Sequence, residues 1–360
     1  MADDTRRMYE MEYPAPPVGD TSQHGPTLII AMQGYADAGH AVESAAEHLK
    51  AALDNSQVAT FNADELIDYR SRRPAVMMEK HEITNMEKIE LDMRVVRDSE
   101  GENFLLLSGP EPDLRWEGFS QAVADLADKY NVSKTICLYG APMAVPHTRP
   151  LMVSAHGNDR DLVGTMFSFD GKVTMPGSAS LMIERELHAR GHAVAGYTAH
   201  VPHYLAQSPY PHATFQLLQS VSDTSKLKFP LKALEHDMNV VAKQLTEQTA
   251  GSEEIMHVVT QLEKHYDQEL AEYRKTHPNA MMPGESQVPS GEEIGAAFEN
   301  YLAAVDDRER TRPELPHAKQ LFNFDSNEQA ADDPSLGDDS PAPDADSESE
   351  ADGQGTTDES

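Results

Sequence analysis

The polar residues equipped for chemistry fall at three places, each at the end of an apolar run. Gly34, Asp37 and Gly39 follow the run Thr27–Met32. A strand that turns into a helix there gathers backbone N–H groups and the positive end of a helix dipole, and such a place holds an anion. Asp37 argues the other way. As an N-cap its carboxylate takes the orphan N–H groups of the first turn, and otherwise it repels a phosphate. The glycine spacing is neither GxGxxG nor a P-loop, so no nucleotide motif is assigned. The second place is Gly140–Pro150, with Pro142, Pro146 and Pro150 at spacing four, which excludes a regular helix. It carries His147, Thr148 and Arg149. Arg149 has the fork to clamp a carboxylate or phosphate, or it pairs with one of this chain's many acids, and the whole loop also reads as a rigid brace without chemistry. The third place is Pro176–Ser180, where Ser178 and Ser180 sit at a helix start. No GxSxG elbow surrounds them, and serine there is an ordinary N-cap. The candidate ligand pocket is therefore Gly34, Asp37, Gly140, His147, Arg149 and Ser178, with no catalytic residue assigned.

A metal site is not expected. His200 and His203 are separated by Val201-Pro202, and the proline excludes a shared helix face. The single cysteine, Cys137, lies inside an apolar run, so no zinc set of the usual spacing exists. No cofactor is expected either.

The elements that must position these residues follow from period. Thr27–Met32, Val58–Phe61, Phe104–Leu107, Thr135–Tyr139 and Ala193–His200 read as strands, several continuously apolar as in a sheet covered on both faces. Gly140 is expected to stop its strand, and Leu151–Ala155 to start another. Ile89–Val96 alternates with the period of a half-exposed strand. Helical stripes run over Ala38–Leu53, Trp116–Tyr130, Ser180–Leu187 and Pro211–Val221, with Gly191 as a C′ stop. Strands alternating with helices over 27–222 predict an α/β layer structure with a largely parallel sheet. Residues 227–306 change to polar helical stripes with a break within Thr246–Ser252 and a last short helix at Glu292–Val305. They predict a helical appendage on a core at 26–226. Residues 1–25 read as a flexible arm and 307–360 as an acidic disordered tail.

Composition bounds the partners. The 360 residues carry a formal charge of −32; the stretch from Asp325 to the end has 13 acidic and no basic residues, leaving −19 for residues 1–324. That sign excludes nucleic acid and anionic membrane surfaces as partners. One cysteine cannot form an internal disulfide, which fits a reducing compartment. Neither an apolar signal region nor a membrane-spanning run is present, so a cytoplasmic protein is expected.

Six segments in order carry a resemblance: GYADAGHA from Gly34, ELIDYRSRRP from Glu65, LSGPEPDLRWEGF from Leu107, YGAPMAVPHTRP from Tyr139, MPGSAS from Met175 and HVPHYL from His200. They resemble the proteasome assembly chaperone 2 (PAC2) family, nearest its actinobacterial branch, over about Thr27–Leu234. The resemblance implies a phosphorylase/hydrolase-like three-layer α/β/α sandwich. It implies a non-enzymatic, protein-binding assembly role with an unidentified protein partner; the added helices offer an interface for a homo-oligomer, a trimer being one option. Chaperone relatives that dock on the proteasome ring end in a hydrophobic residue, a tyrosine and one further residue. This sequence ends Thr356-Thr357-Asp358-Glu359-Ser360, so the resemblance does not carry that docking mode over. The alternative is a phosphorylase/hydrolase-like enzyme or a sensor of an anionic small molecule at the strand ends.

Overall fold

In the computed structural model the described residues are 8–18, 25–164, 166–169, 171–278, 280 and 283–284. All lie within the compact unit Met1–Val288; the second unit, Pro289–Ser360, lies outside them, as do the helix expected at Glu292–Val305 and the acidic tail. Ten strands are described: β1 (Tyr9–Met11), β2 (Thr27–Gln33), β3 (Asn55–Phe61), β4 (Val76–Glu79), β5 (Glu82–Met86), β6 (Asp92–Arg97), β7 (Asn103–Pro110), β8 (Lys134–Met143), β9 (Val153–Gly157) and β10 (Val194–Pro202). The long helices are α1 (Ala41–Ala52), α2 (Trp116–Lys129), α3 (Ala179–Ala189), α4 (Pro211–Ser225), α5 (Lys232–Ala250) and α6 (Glu253–Thr276).

Eight strands form one sheet in the order β1-β3-β6-β7-β2-β8-β10-β9. Its centre is parallel, as expected: β7, β2, β8 and β10 run together. The flanks are not. β6 on β7, β3 on β6, β1 on β3 and β9 on β10 are antiparallel, so the sheet is mixed rather than largely parallel. For β6 and β7 the reason is the connection: the five residues Asp98–Glu102 are long enough only for a hairpin, whereas parallel neighbours need a helical crossover.

Strand alternation divides the core into two. Leu28, Ile30, Leu105, Leu107, Cys137 and Tyr139 face α2 and α3. Ile29, Ala31, Leu106, Ile136, Leu138 and Tyr197 face α1 and α4. Because successive side chains point to opposite faces, a continuously apolar strand serves both cores at once. The result is an α/β/α sandwich. Truncating a residue such as the fully buried Leu106 to alanine removes contacts the other layer cannot replace, at a cost of about 2–5 kcal/mol.

Three local expectations change. Residues 1–25 are not an arm throughout: Met8 is fully buried, and Tyr9–Met11 pairs with Phe61–Ala59 as the edge strand. β8 does not stop at Gly140 but continues to Met143 alongside β10. Pro142 is tolerated there because Gly140 N–H points away from β10, to Ala36 O at 2.7 Å. Two residues on, the missing proline N–H faces that same side. And α1 starts at Ala41 rather than Ala38, since Gly39 (φ 71°) and His40 (φ 49°) are left-handed and break the first turn away. No helix among the described residues is long and apolar enough to cross a membrane.

Candidate functional site

The rim at the carboxyl ends of β2, β7 and β8 is where an open α/β sheet leaves a crevice. A cleft of about 690 Å³ lies there, lined by Gly34, Tyr35 and Asp37, by the basic Arg72, Arg73 and Lys88, and by the acidic Glu43, Glu47, Glu87 and Glu90. Arg72 lies 3.7 Å from Asp113. Arg73 and Lys88 make no ion pair among the described residues.

Asp37 acts as the sequence predicts for a cap, although one turn further out. Its carboxylate accepts Val42 N–H at 2.7 Å and Glu43 N–H at 3.2 Å, across the left-handed residues. Burial raises its pKa despite those two bonds, which pull the other way. Gly140 touches the same turn: it bridges to Asp37, and a Cβ on it would lie 2.7 Å from Ala38 O. Gly140 is therefore glycine because the β2–α1 turn crosses directly over β8. Ser178 is the N-cap of α3, accepting Leu181 N–H at 3.2 Å, and is buried.

His147 and Arg149 belong elsewhere. The His147 Nδ1 and backbone N–H lie 2.7 and 2.9 Å from the Tyr204 hydroxyl, and burial pushes its pKa down. Its Nε2 is buried without a hydrogen-bond partner. Arg149 forks onto α6: Nε and one terminal nitrogen donate to the two Asp267 oxygens at 2.9 and 2.8 Å, and the other donates to Glu263 at 3.2 Å. These bonds raise the guanidinium pKa, the Asp267 bond foremost, and lower that of Asp267. Tyr266 of the same helix donates to Pro150 O at 2.8 Å. The proline-braced loop is the seat of α6, and Arg149 is engaged in holding it.

The six residues thus divide. Gly34, Asp37, Gly140 and Ser178 share the strand-end rim; His147 and Arg149 face the helical hairpin. Two features escaped the sequence reading. The first is Glu111, just past β7 and only 9% exposed. One of its oxygens accepts Ala179 N–H at 2.7 Å and the other lies 3.4 Å from Tyr35 N. It ties the turn at Gly34 to the start of α3. The second is a chain of hydrogen bonds in which the buried Tyr139 OH donates to Glu184 at 2.6 Å and Nε2 of the half-exposed His156 lies 2.9 Å from the other Glu184 oxygen. Gly196 makes room for it, since a Cβ there would fall 2.3 Å from the His156 ring. The sequence signal for either was slight: Glu184 is an acid beside the apolar helix positions Ile183 and Leu187, and Glu111 stands between Pro110 and Pro112. Among the described residues no group of three or more His, Cys, Asp or Glu could hold a metal.

A further feature stands away from the cleft floor. β4 and β5 form a two-stranded sheet of their own, with Val76, Met77, Met78, Ile83 and Met86 between 45% and 64% exposed.

Comparison with known proteins gives the following. The model of the PAC2 family matches residues 31–249. A Corynebacterium glutamicum protein of unknown function is 58% identical, covering 74% of this chain and 100% of its own, with a TM-score of 0.72. A Mycobacterium tuberculosis protein of unknown function is 45% identical over 74% of this chain and 92% of its own, with a TM-score of 0.70. A proteasome-assembly chaperone homologue of M. tuberculosis is 24% identical over 65% of this chain and 99% of its own, with a TM-score of 0.60, a likeness of fold. No curated protein matches.

Proposed function

Because this chain belongs to the PAC2 family, we propose that it is a protein-binding, chaperone-like assembly protein that works as a homo-oligomer without catalysing a reaction. The observation that carries the reading is the β4–β5 hairpin. An isolated two-stranded sheet is marginally stable by itself, and its two edges offer unpaired backbone groups. Five large apolar side chains exposed on it resemble an interface rather than a solvated surface. We take the occupant to be a second copy of the chain. Each copy would cover on the order of 500 Å² here, so a pair of copies reaches the ~1,000 Å² of the smallest specific interfaces. The arm carrying the hairpin, residues 69–88, holds Arg70, Arg72, Arg73, Lys80 and Lys88 against Glu79, Glu82 and Glu87, and so is basic in an otherwise acidic chain. Like copies repel least through such an arm.

Further support comes from the rim, where Asp37 and Ser178 are engaged as caps, and from Arg149, which lies away from it and is engaged with α6. On this reading residues 26–226 are the core, 227–306 a helical appendage and 307–360 an acidic tail, in a reducing cytoplasmic compartment. The experiment is purification at native level from the source cell followed by native mass measurement. A stable multimer that retains a specific protein partner is the expected result. A monomer that brings down nothing would end the reading.

One observation favours a second reading, a sensor of an anionic small molecule. Arg73 and Lys88 line the cleft without an ion pair among the described residues, although Asp37, Glu43, Glu47, Glu87 and Glu90 line it too. Thermal-shift screening with phosphate, nucleosides and acyl metabolites tests it. Stabilisation that Arg73→Ala abolishes would support it, and no stabilisation by any of them would remove it.

A further inference from the structure

We propose that the strand-end rim contains an anion seat which the chain occupies itself: the backbone N–H groups of Tyr35 and Ala179 form a site for a carboxylate, and Glu111 fills it. Ala179 is the first residue of α3, an 11-residue helix whose N-terminal amides and dipole favour a negative charge. Its N–H lies 2.7 Å from one Glu111 oxygen, and Tyr35 N lies 3.4 Å from the other. The carboxylate is only 9% exposed and makes no ion pair among the described residues, so its charge is answered by backbone dipoles. Gly34 completes the seat. A Cβ at that position would stand 2.5 Å from the nearer carboxylate oxygen and 2.8 Å from the Glu111 Cβ, so only glycine leaves the space. The Glu111 N–H donates to Gln33 O at 2.7 Å, which fixes the side chain's origin at the joint between β2 and β7.

α/β rims use this arrangement for a ligand's anion, and here an internal carboxylate takes the ligand's place. The inference is independent of the oligomer reading. It states that phosphates and carboxylates from solution do not enter this part of the rim in the native chain. It also states the ligand class that fits once Glu111 is removed: a small monocarboxylate, whose two oxygens meet the two N–H groups.

The test is thermal unfolding of the full chain with Glu111→Ala, in potassium formate against potassium chloride at equal ionic strength. The variant should melt several degrees below the wild type, and formate should raise its midpoint by about 2 °C or more over chloride. The wild type should not distinguish the two salts. Glu111→Gln, which keeps the volume and leaves formate no room, should be destabilised without rescue. Where Glu111→Ala does not accumulate as folded protein, its refolding yield is compared in the same two salts, and a higher yield in formate is expected. Equal effects of formate and chloride on Glu111→Ala, a variant as stable as the wild type, or equal rescue of Glu111→Gln would each overturn the proposal.

Discussion

His156 on β9 and His200 on β10 lie on paired antiparallel strands, His156 opposite Gly196 and His200 bonded through its N–H to Met152 O, and sit in opposite electrostatic settings. The bond to Glu184 is the largest influence on His156 and raises its pKa. Its protonated form is held by the fold, so this contribution is complete below the ordinary imidazole value of ~6.5 and is lost as pH rises through the raised folded value. His200 is the reverse. Burial against Ser154, Phe167 and Phe169 lowers its pKa to about 4. The unfolded chain takes up a proton that the folded one refuses, so stability falls as pH drops from ~6.5 toward 4, by up to roughly 3 kcal/mol. His147 and His212, also lowered by burial, add to that acid limb. Unfolding midpoints measured from pH 4 to 9 should therefore peak near ~6.5. His156→Gln should flatten only the alkaline side, and His200→Asn should shrink only the acid side. A His156 variant that alters the acid limb instead would contradict the assignment. None of this was readable from spacing, because Glu184 meets His156 and Tyr139 only after β8, β9 and α3 have packed.

At the scale of elements, the hairpin and the helical pair α5–α6 attach to the core differently. α5 lays a narrow stripe of Leu234, Met238, Val241 and Leu245 toward the core, and α6 is held through Tyr266 and the Arg149 fork. The expected break near residue 250 is at Gly251-Ser252, where Ser252 caps α6 by accepting Ile255 N–H. None of the hairpin's exposed apolar residues belongs to the two core clusters, although Val76 and Met86 line a cavity with Phe61. Replacing Met77, Met78 and Ile83 together by serine should then leave the thermal midpoint within about 2 °C of the wild type, since surface changes are small. The same variant should lose assembled mass in light scattering. A large fall in midpoint with unchanged mass would mean that the hairpin is packed and not an interface. The sequence shows no element over Ala75–Lys88 because the stretch is short, carries Glu79, Lys80 and Glu82 at its middle and has no Gly turn.

At the scale of the molecule, charge opposes assembly while apolar contact drives it. Copies with a formal charge of −32 repel at long range, and salt screens that repulsion with little effect on buried methionines. Self-association should tighten as potassium chloride rises from about 50 to 500 mM, measured by sedimentation equilibrium. Weaker association in salt would point instead to ion pairs across the interface. Buried strands such as Leu28–Met32 were legible as layers because each serves two cores. The sheet reads as largely parallel in the sequence, whereas its flanks run antiparallel, because the pattern within a strand carries no record of pairing direction.

The sequence by itself determined the layers, the helix faces and the family. Those depend on periodicity and on short ordered motifs, both local along the chain. Only the tertiary structure decided that Arg149 belongs to α6, 118 residues away, and that Glu111 reaches α3, 68 residues away. The order in which strands lie side by side brings such residues together, and hydrophobic pattern carries no record of which acid a given base or amide will meet.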